Sequence, residues 1–256
     1  MSSTLPLTGD FAAHCSGALW IAASGTLVIA DVHLGYGWAQ RRRGELGPLA
    51  DALTRKKLFA VCEELNPTEL VFLGDLVHAP KPCAAEREWI EETLTNLAER
   101  ARITAVRGNH DRAFAREFGD LSLTTVAAWQ TDQVTALHGD RFDVEIPEQH
   151  MALVGHLHPS LTLIDAAGAP RKLPVFLHSP HCILLPAFSP FAGGYDVERG
   201  LPEGIANLFR DEAIEAVATS GKRVVRLGLL DRAIGRIRSA DETAPSQYRW
   251  PKLRRA

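Results

Sequence analysis

Five short apolar runs in this chain each stop abruptly at residues that ligate metals, and nothing else in the sequence constrains its fold as tightly. Leu27–Ala30 precedes Asp31 and His33, and Leu70–Leu73 precedes Gly74 and Asp75. Ile103–Val106 leads into Gly108, Asn109, His110 and Asp111, Val134–Leu137 into His138, and Met151–Val154 into His156 and His158. Short apolar runs bounded by Gly and polar residues read as buried strands. Burying amides, imidazoles and carboxylates at their ends is unfavourable unless something there needs ligands. In layered α/β folds the strand carboxyl ends converge on a ligand crevice. That convergence is what would let positions 31 and 158 meet.

The rest of the chain agrees with an α/β layered architecture of mixed sheets. Residues 18–30 read as two strands around a Ser-Gly turn, and residues 34–47 as a loop carrying Arg41, Arg42 and Arg43. Apolar positions Leu49, Leu53, Leu58, Val61, Cys62 and Leu65 recur at helical spacing from about Pro48 to Leu65, where Asn66-Pro67 ends the helix. Residues 85–100 form a second amphipathic helix with Trp89, Ile90, Leu94 and Leu97 on its buried stripe. Leu161–Ile164 and Pro174–Leu177 flank a turn as a hairpin. Residues 201–220 are predicted helical, Val224–Leu230 a strand, and the chain from Asp241 poorly ordered.

At 256 residues and 46% hydrophobic content there is enough chain for one sizeable core, taken as a domain over 1–240 with a basic tail at 241–256. Residues 221–256 hold ten Lys/Arg against three Asp/Glu, so the rest carries −10 beneath a net charge of −3. Such a tail can follow a polyanion, although a solvated helix face explains it more simply. Cys15, Cys62, Cys83 and Cys182 form no C-x-x-C pair and read as reduced thiols of a cytoplasmic protein. The first residues lack the pattern of a signal peptide, and no apolar run approaches the ~20 residues that span a membrane.

Two carboxylates, an amide and four imidazoles suit two divalent cations about 3.5–4 Å apart, which acidify a water between them and clamp phosphoryl oxygens. A nitrogen-rich mixed set fits Mn, Fe, Zn or Co better than Mg or Ca. The ordered motifs Asp-x-His, Gly-Asp, Gly-Asn-His-Asp, His-Gly and Gly-His-x-His over residues 31–158 resemble the calcineurin-like metallophosphoesterase superfamily. The resemblance implies a four-layer αββα sandwich of two mixed sheets flanked by helices. It also implies that Asp31, His33, Asp75 and His158 bind one metal, and that Asp75, Asn109, His138 and His156 bind the other, with Asp75 bridging. His110 would face the scissile phosphate and Asp111 would orient His110. No ligand of the pattern is missing, which argues against a scaffold that has lost its chemistry.

Asp31-Val-His-Leu-Gly, an Arg-bearing loop, Leu185-Pro-Ala-Phe and Gly193-Gly194 are similar to the phosphoesterases associated with DNA ligase or helicase, described as DNA-damage-response endonucleases. That branch implies a manganese-favoured phosphodiesterase or nuclease acting on single-stranded nucleic acid. Arg41, Arg42, Arg43 and Arg112 are then candidate phosphate contacts, and His78 a candidate substrate contact. Rival activities with the same ligands are a phosphomonoesterase, a cyclic-nucleotide phosphodiesterase and a nucleotide-type pyrophosphate hydrolase. Related lipid-precursor pyrophosphate hydrolases usually carry Arg where this chain has His110.

Overall fold

The structure is a computed structural model that describes residues 2–45, 50–121, 123–164 and 169–243. The chain begins with β1 (Thr4–Thr8), β2 (Phe11–His14), β3 (Leu19–Ile21), β4 (Thr26–Ala30) and α1 (Tyr36–Arg42). It continues through α2 (Ala50–Leu65), β5 (Glu69–Leu73), α3 (Ala84–Ala98), β6 (Arg102–Val106), α4 (Phe114–Glu117) and β7 (Thr124–Val126). Then follow β8 (Trp129–Gln130), β9 (Val134–Leu137), β10 (Met151–Val154), β11 (Pro159–Ile164), β12 (Pro170–His178), β13 (Cys182–Leu184) and β14 (Tyr195–Asp196). The last elements are α5 (Glu203–Ala206), β15 (Glu215–Thr219), β16 (Val224–Leu229) and α6 (Leu230–Thr243).

Two mixed sheets result. The first is ordered β1 to β7, antiparallel up to β4 and parallel from β4 to β7. The second is ordered β14-β11-β12-β13-β10-β9-β8, with β15 and β16 added beside β12.

Strand periodicity builds the layers. Successive side chains point to opposite faces, so β4 sends Leu27 and Ile29 into a core under α2 and α3, and Val28 and Ala30 into a core between the sheets. β5 does the same with Leu70 and Phe72 against Val71 and Leu73. Strands β9, β10 and β15 contribute Val134, Ala136, Leu153 and Val217 to the middle core, while Leu137, Ala152, Val154, Ala216 and Ala218 face Ile205, Phe209 and Leu230. Helix, sheet, sheet, helix is the four-layer sandwich anticipated above. Phe72 is fully buried, and its truncation to Ala would cost about 3–5 kcal/mol.

Several local expectations are corrected. The segment read as a loop over 34–47 contains α1. Its start is capped from a distance, because the Asp51 carboxylate accepts from the Gly35 and Gly37 amides at 3.0 and 3.3 Å. A cap supplied from the next helix is invisible to local sequence reading. Leu53 is exposed rather than part of the α2 stripe, and Pro48 and Leu49 lie outside the described residues. The helix predicted over 201–220 is only α5 and one 3-10 turn, followed by β15. Glu215–Thr219 pairs antiparallel with both β12 and β16, and that pairing overrides the helix preference of its alanines. The hairpin β1–β2 went unanticipated. Helix α6 runs through 240 to Thr243, and residues 244–256 lie outside the described residues.

Candidate metal centre

Strands β4, β5 and β6 are parallel neighbours in register, Ala30 beside Leu73 and Leu73 beside Val106. Their carboxyl ends therefore release Asp31, Asp75 and Asn109 at one level. On the facing sheet, parallel β9 and β10 pair Leu137 with Val154 and release His138 and His156. All five runs singled out in the sequence deliver their polar residues to this one place.

The backbone turns sharply there. Asp31, His33, Asp75, His156 and His158 all have positive φ, between 47° and 64°. Left-handed backbone costs a non-glycine residue about 1–2 kcal/mol, and such strain survives only where neighbouring contacts over-determine it. Those contacts are present. The Asp75 carbonyl accepts from the His33 amide at 2.8 Å, the His138 carbonyl from Gly155 at 3.0 Å, and the Asp31 carbonyl from Ser189 at 3.1 Å. The glycines preceding the ligands serve close approach. A Cβ on Gly74 would overlap the His138 ring, and one on Gly108 would overlap the amide and carboxylate of Asp75.

The donor atoms fall into three groups, Asp31/His33/His158, Asp75/His138/His156 and His33/His78/His110, each with its members within 4.8 Å of one another. Asp75 lies between the first two, with Oδ2 at 3.9 Å from His33 Nε2 and Oδ1 at 3.5 Å from His138 Nε2. Asn109 Oδ1 joins the second group at 3.1 Å from His138 Nε2.

Hydrogen bonding shows what this arrangement fits. His138 Nδ1 donates to the Leu73 carbonyl at 2.9 Å, which turns Nε2 toward Asn109 Oδ1. His158 Nδ1 donates to the Gly193 carbonyl at 3.3 Å, turning Nε2 to within 3.1 Å of Asp31 Oδ1. Among the described residues, Asp31 Oδ1 and His158 Nε2 are buried and have no well-aligned hydrogen-bond partner. Buried imidazole nitrogens and carboxylate oxygens converging in this way are ligands a divalent cation takes, so the donor set fits divalent metal.

Burial and the neighbouring charges set the charge states. Burial opposes the charge on Asp31, yet His158 at 3.1 Å, with His138 and His33, holds its carboxyl below the usual range. Burial pushes His33 down to about 3, keeping its imidazole neutral. Burial also lowers His156, with help from His138. His158 alone moves up, because the Asp31 carboxylate outweighs its burial.

His110 stands at the mouth of this cluster, its Nε2 3.9 Å from Asp75 Oδ2 and its amide donating to Asp75 Oδ1 at 2.9 Å. Asp111 makes no hydrogen bond to its ring. The buried Asp111 carboxylate accepts instead from the backbone amides of Gly108, Val77 and Leu76 at 3.0, 3.2 and 3.4 Å, and burial raises its pKa to about 6. The His110 ring is set by the carbonyl of His78, which accepts from Nδ1 at 2.8 Å. The His78 side chain stacks on His110 at 5.3 Å and comes within 3.4 Å of His33, which places it in the site. Burial, then His110 and the nearby Arg43 and Arg42, push it down to about 4.

A cleft of about 320 Å³ opens over these residues, with Tyr36, Phe191 and Gly193 on its rim. Tyr36 meets Phe191 in a stack at 6.1 Å and His78 edge-on at 5.0 Å. Sequence reasoning missed both aromatic residues; the one clue was that Tyr36 follows His33 by three positions.

The arginine triplet is divided. Arg41 pairs with Asp51 at 3.6 Å and lies over Trp38, and Arg42 pairs with the fully buried Glu86. Both pairs tie α1 to α2 and α3. Arg43, at the end of α1, is exposed and has no ion-pair partner among the described residues. Arg112 lines a separate groove of about 370 Å³ with Arg107, beside Asn109 and His138.

With two mixed sheets and a carboxylate-imidazole cluster at their strand ends, the fold and the site define a metal-using hydrolase. The family model for calcineurin-like phosphoesterases matches residues 26–218, and the chain belongs to that family. It is thus a hydrolase of phosphoesters that works with divalent metal ions. Among solved structures, the nuclease MPE of Pseudomonas putida is similar at 23% identity over 88% of this chain and 98% of its own, with a TM-score of 0.63. The phosphoesterase Yfce of E. coli is similar at 15% identity over 80% of this chain and 98% of its own, with a TM-score of 0.42. No curated sequence matches. No helix among the described residues is long and apolar enough to cross a membrane.

Proposed function

We propose that the protein is a phosphodiesterase that uses two divalent cations and acts on single-stranded nucleic acid. The observation that carries the reading is the position of Asp75, whose two oxygens face separate donor groups, His33 on one side and His138 on the other. One cation would be held by Asp31, His33, Asp75 and His158, and the other by Asp75, Asn109, His138 and His156. When bound, such a pair lowers the pKa of a water between them and neutralises phosphoryl oxygens. Mixed nitrogen and oxygen donors favour manganese, with zinc, iron or cobalt as alternatives.

The chain's own residues supply the remainder. Because the His78 carbonyl holds His110 Nδ1–H, Nε2 is the ring atom free to exchange a proton with substrate. Protonated, it stabilises charge on the phosphoryl group and then gives its proton to the departing alkoxide. Asp111 keeps the Asn109-His110 turn against the Leu76-Val77 backbone, so donor and acid stay in register. Tyr36 and Phe191 offer faces on which an unpaired base can stack.

A panel of Mn, Zn, Fe and Mg against a phosphomonoester, a small phosphodiester, cyclic nucleotides and single-stranded DNA tests the reading, with Asp75→Ala as blank. Polynucleotide is included because the fold is shared with a nuclease. Hydrolysis of the diester and the DNA, absent from the blank, is the expected result. Hydrolysis of the monoester alone would overturn it.

A further inference from the structure

A second cavity, of about 390 Å³, adjoins the metal centre and shares His158 and Ala192 with the cleft above it. Lys57 enters it from α2 and Lys172 from β12, and the hydroxyl residues Ser16, Ser160, Ser189 and Thr219 also line it. No carboxylate among the described residues does. Two ammonium groups and several hydroxyls without a counter-charge make a receptive site for an anion.

Lys57 is under-satisfied where it stands. Its Nζ donates to the Phe188 carbonyl at 2.6 Å and sits 4.0 Å above the Phe188 ring. An ammonium carries three donors, and among the described residues no acidic group pairs with this one. Burial accordingly lowers its pKa to about 8. Lys172 donates to the carbonyl of Gly194, next to the glycine whose carbonyl orients His158. By contrast, the groove on the Asn109 side balances Arg107, Arg112 and Arg141 with Asp111, Asp140 and Asp143.

From this arrangement we propose that the cavity beyond His158 is a phosphate subsite, in which Lys57 and Lys172 hold the phosphate next to the scissile one in a single-stranded polynucleotide. The proposal rests on the diesterase reading and extends it, because it requires a substrate with a second phosphate one nucleotide from the reacting centre. In a pyrophosphate the second phosphate shares an oxygen with the first and would stay within the central cleft. The apolar wall of Leu173, Pro174 and Pro190 suits contact with the intervening sugar and base.

Two measurements on the full chain test it. In the first, metal-free protein is titrated with a fluorescent ten-residue thymidylate over a range of salt. The double variant Lys57→Met/Lys172→Gln is expected to bind at least tenfold more weakly and to flatten the slope of log K against log salt by about 1.4, two phosphate contacts at roughly 0.7 each. Affinity and slope equal to those of the natural protein overturn the proposal, whatever the enzyme hydrolyses.

In the second, the manganese-loaded proteins are compared on a 5′- or 3′-phosphorylated dithymidylate and on bis(p-nitrophenyl) phosphate. The ratio of kcat/KM for dinucleotide over small diester is expected to fall at least tenfold in the variant, and an unchanged ratio overturns the subsite. If the natural protein hydrolyses neither diester, the diesterase reading fails, and the binding measurement still decides the subsite. Lys172 is exposed, so Lys172→Gln alone decides the matter if Lys57→Met does not fold. Lys57→Arg is expected to restore binding.

Discussion

His138 Nε2 lies 3.1 Å from the side-chain oxygen of Asn109, while its other ring nitrogen is held by the carbonyl of Leu73. A ring nitrogen and an amide oxygen converging at this distance can both turn lone pairs to one cation. His158 Nε2 and Asp31 Oδ1 converge likewise at 3.1 Å, and Asp75 lies between the two pairs.

If Asp75 serves both cations, removing its side chain should release both rather than one. Asp75→Ala is expected to retain less than one metal per chain, measured by elemental analysis after desalting, and to show no turnover above the buffer rate. A variant that keeps two metals would contradict the shared carboxylate.

His110 stands beside the proposed ligands, 3.9 Å from Asp75 Oδ2, and the His78 backbone fixes its ring. His110→Ala is expected to keep both metals and to lower kcat by roughly 10²–10⁴-fold, the usual contribution of a positioned proton donor. Loss of metal alongside activity would instead assign His110 to the cage.

Gly108 lies against the Asp75 carboxylate and does not have positive φ, so adding one methyl there tests close approach by itself. Gly108→Ala is expected to leave the circular dichroism spectrum unaltered while weakening metal binding by roughly 10–100-fold. Calorimetric titration with manganese gives the answer, and unaltered affinity would show that Asp75 can give way.

Arg42 is the partner of Glu86, which is fully buried and also caps α3 by accepting from the Cys83 amide at 3.2 Å. Taking away the guanidinium leaves a buried carboxylate short of a partner, which costs about 2 kcal/mol. Urea denaturation of Arg42→Ala reads this directly. A variant as stable as the natural protein would make Arg42 available to substrate after all.

Lys57 has the opposite sign. Its pKa falls from 10.5 in the unfolded chain to about 8 in the folded one, because burial disfavours the ammonium. The unfolded chain then binds the proton more tightly, so the charge is a penalty at pH 7 that is relieved as pH rises from about 8 to 10.5. Lys57→Met is expected to be more stable by about 1 kcal/mol at pH 7, with the gap narrowing across that window. Urea titrations of both proteins at pH 7 and pH 10 check it, and a gap that widens with pH would show that the ammonium is not desolvated. A lysine kept against stability is what a binding role would require.

Local chemistry was enough to read the strands and the candidate donors from sequence. Strand periods are short-range, and an apolar run ending at Asp31, Asp75 or His138 is unfavourable anywhere except beside a shared ligand. The two long helices α2 and α3 follow from the same kind of evidence, spacing along one face. Elements whose stability comes from elsewhere in the chain escaped. Helix α1 needs the Asp51 carboxylate, sixteen positions beyond Gly35. Strand β15 needs β12 and β16 on its two edges.

Within the site, the sequence determined which atoms could ligate, because residue type sets donor chemistry. Tertiary structure decided how they are used: that Asp111 binds backbone amides, that a carbonyl of His78 aims His110, and that Arg41 and Arg42 are tied to Asp51 and Glu86. Those outcomes depend on which groups burial leaves in need of a partner, and burial is a property of the packed layers that no single stretch of chain contains.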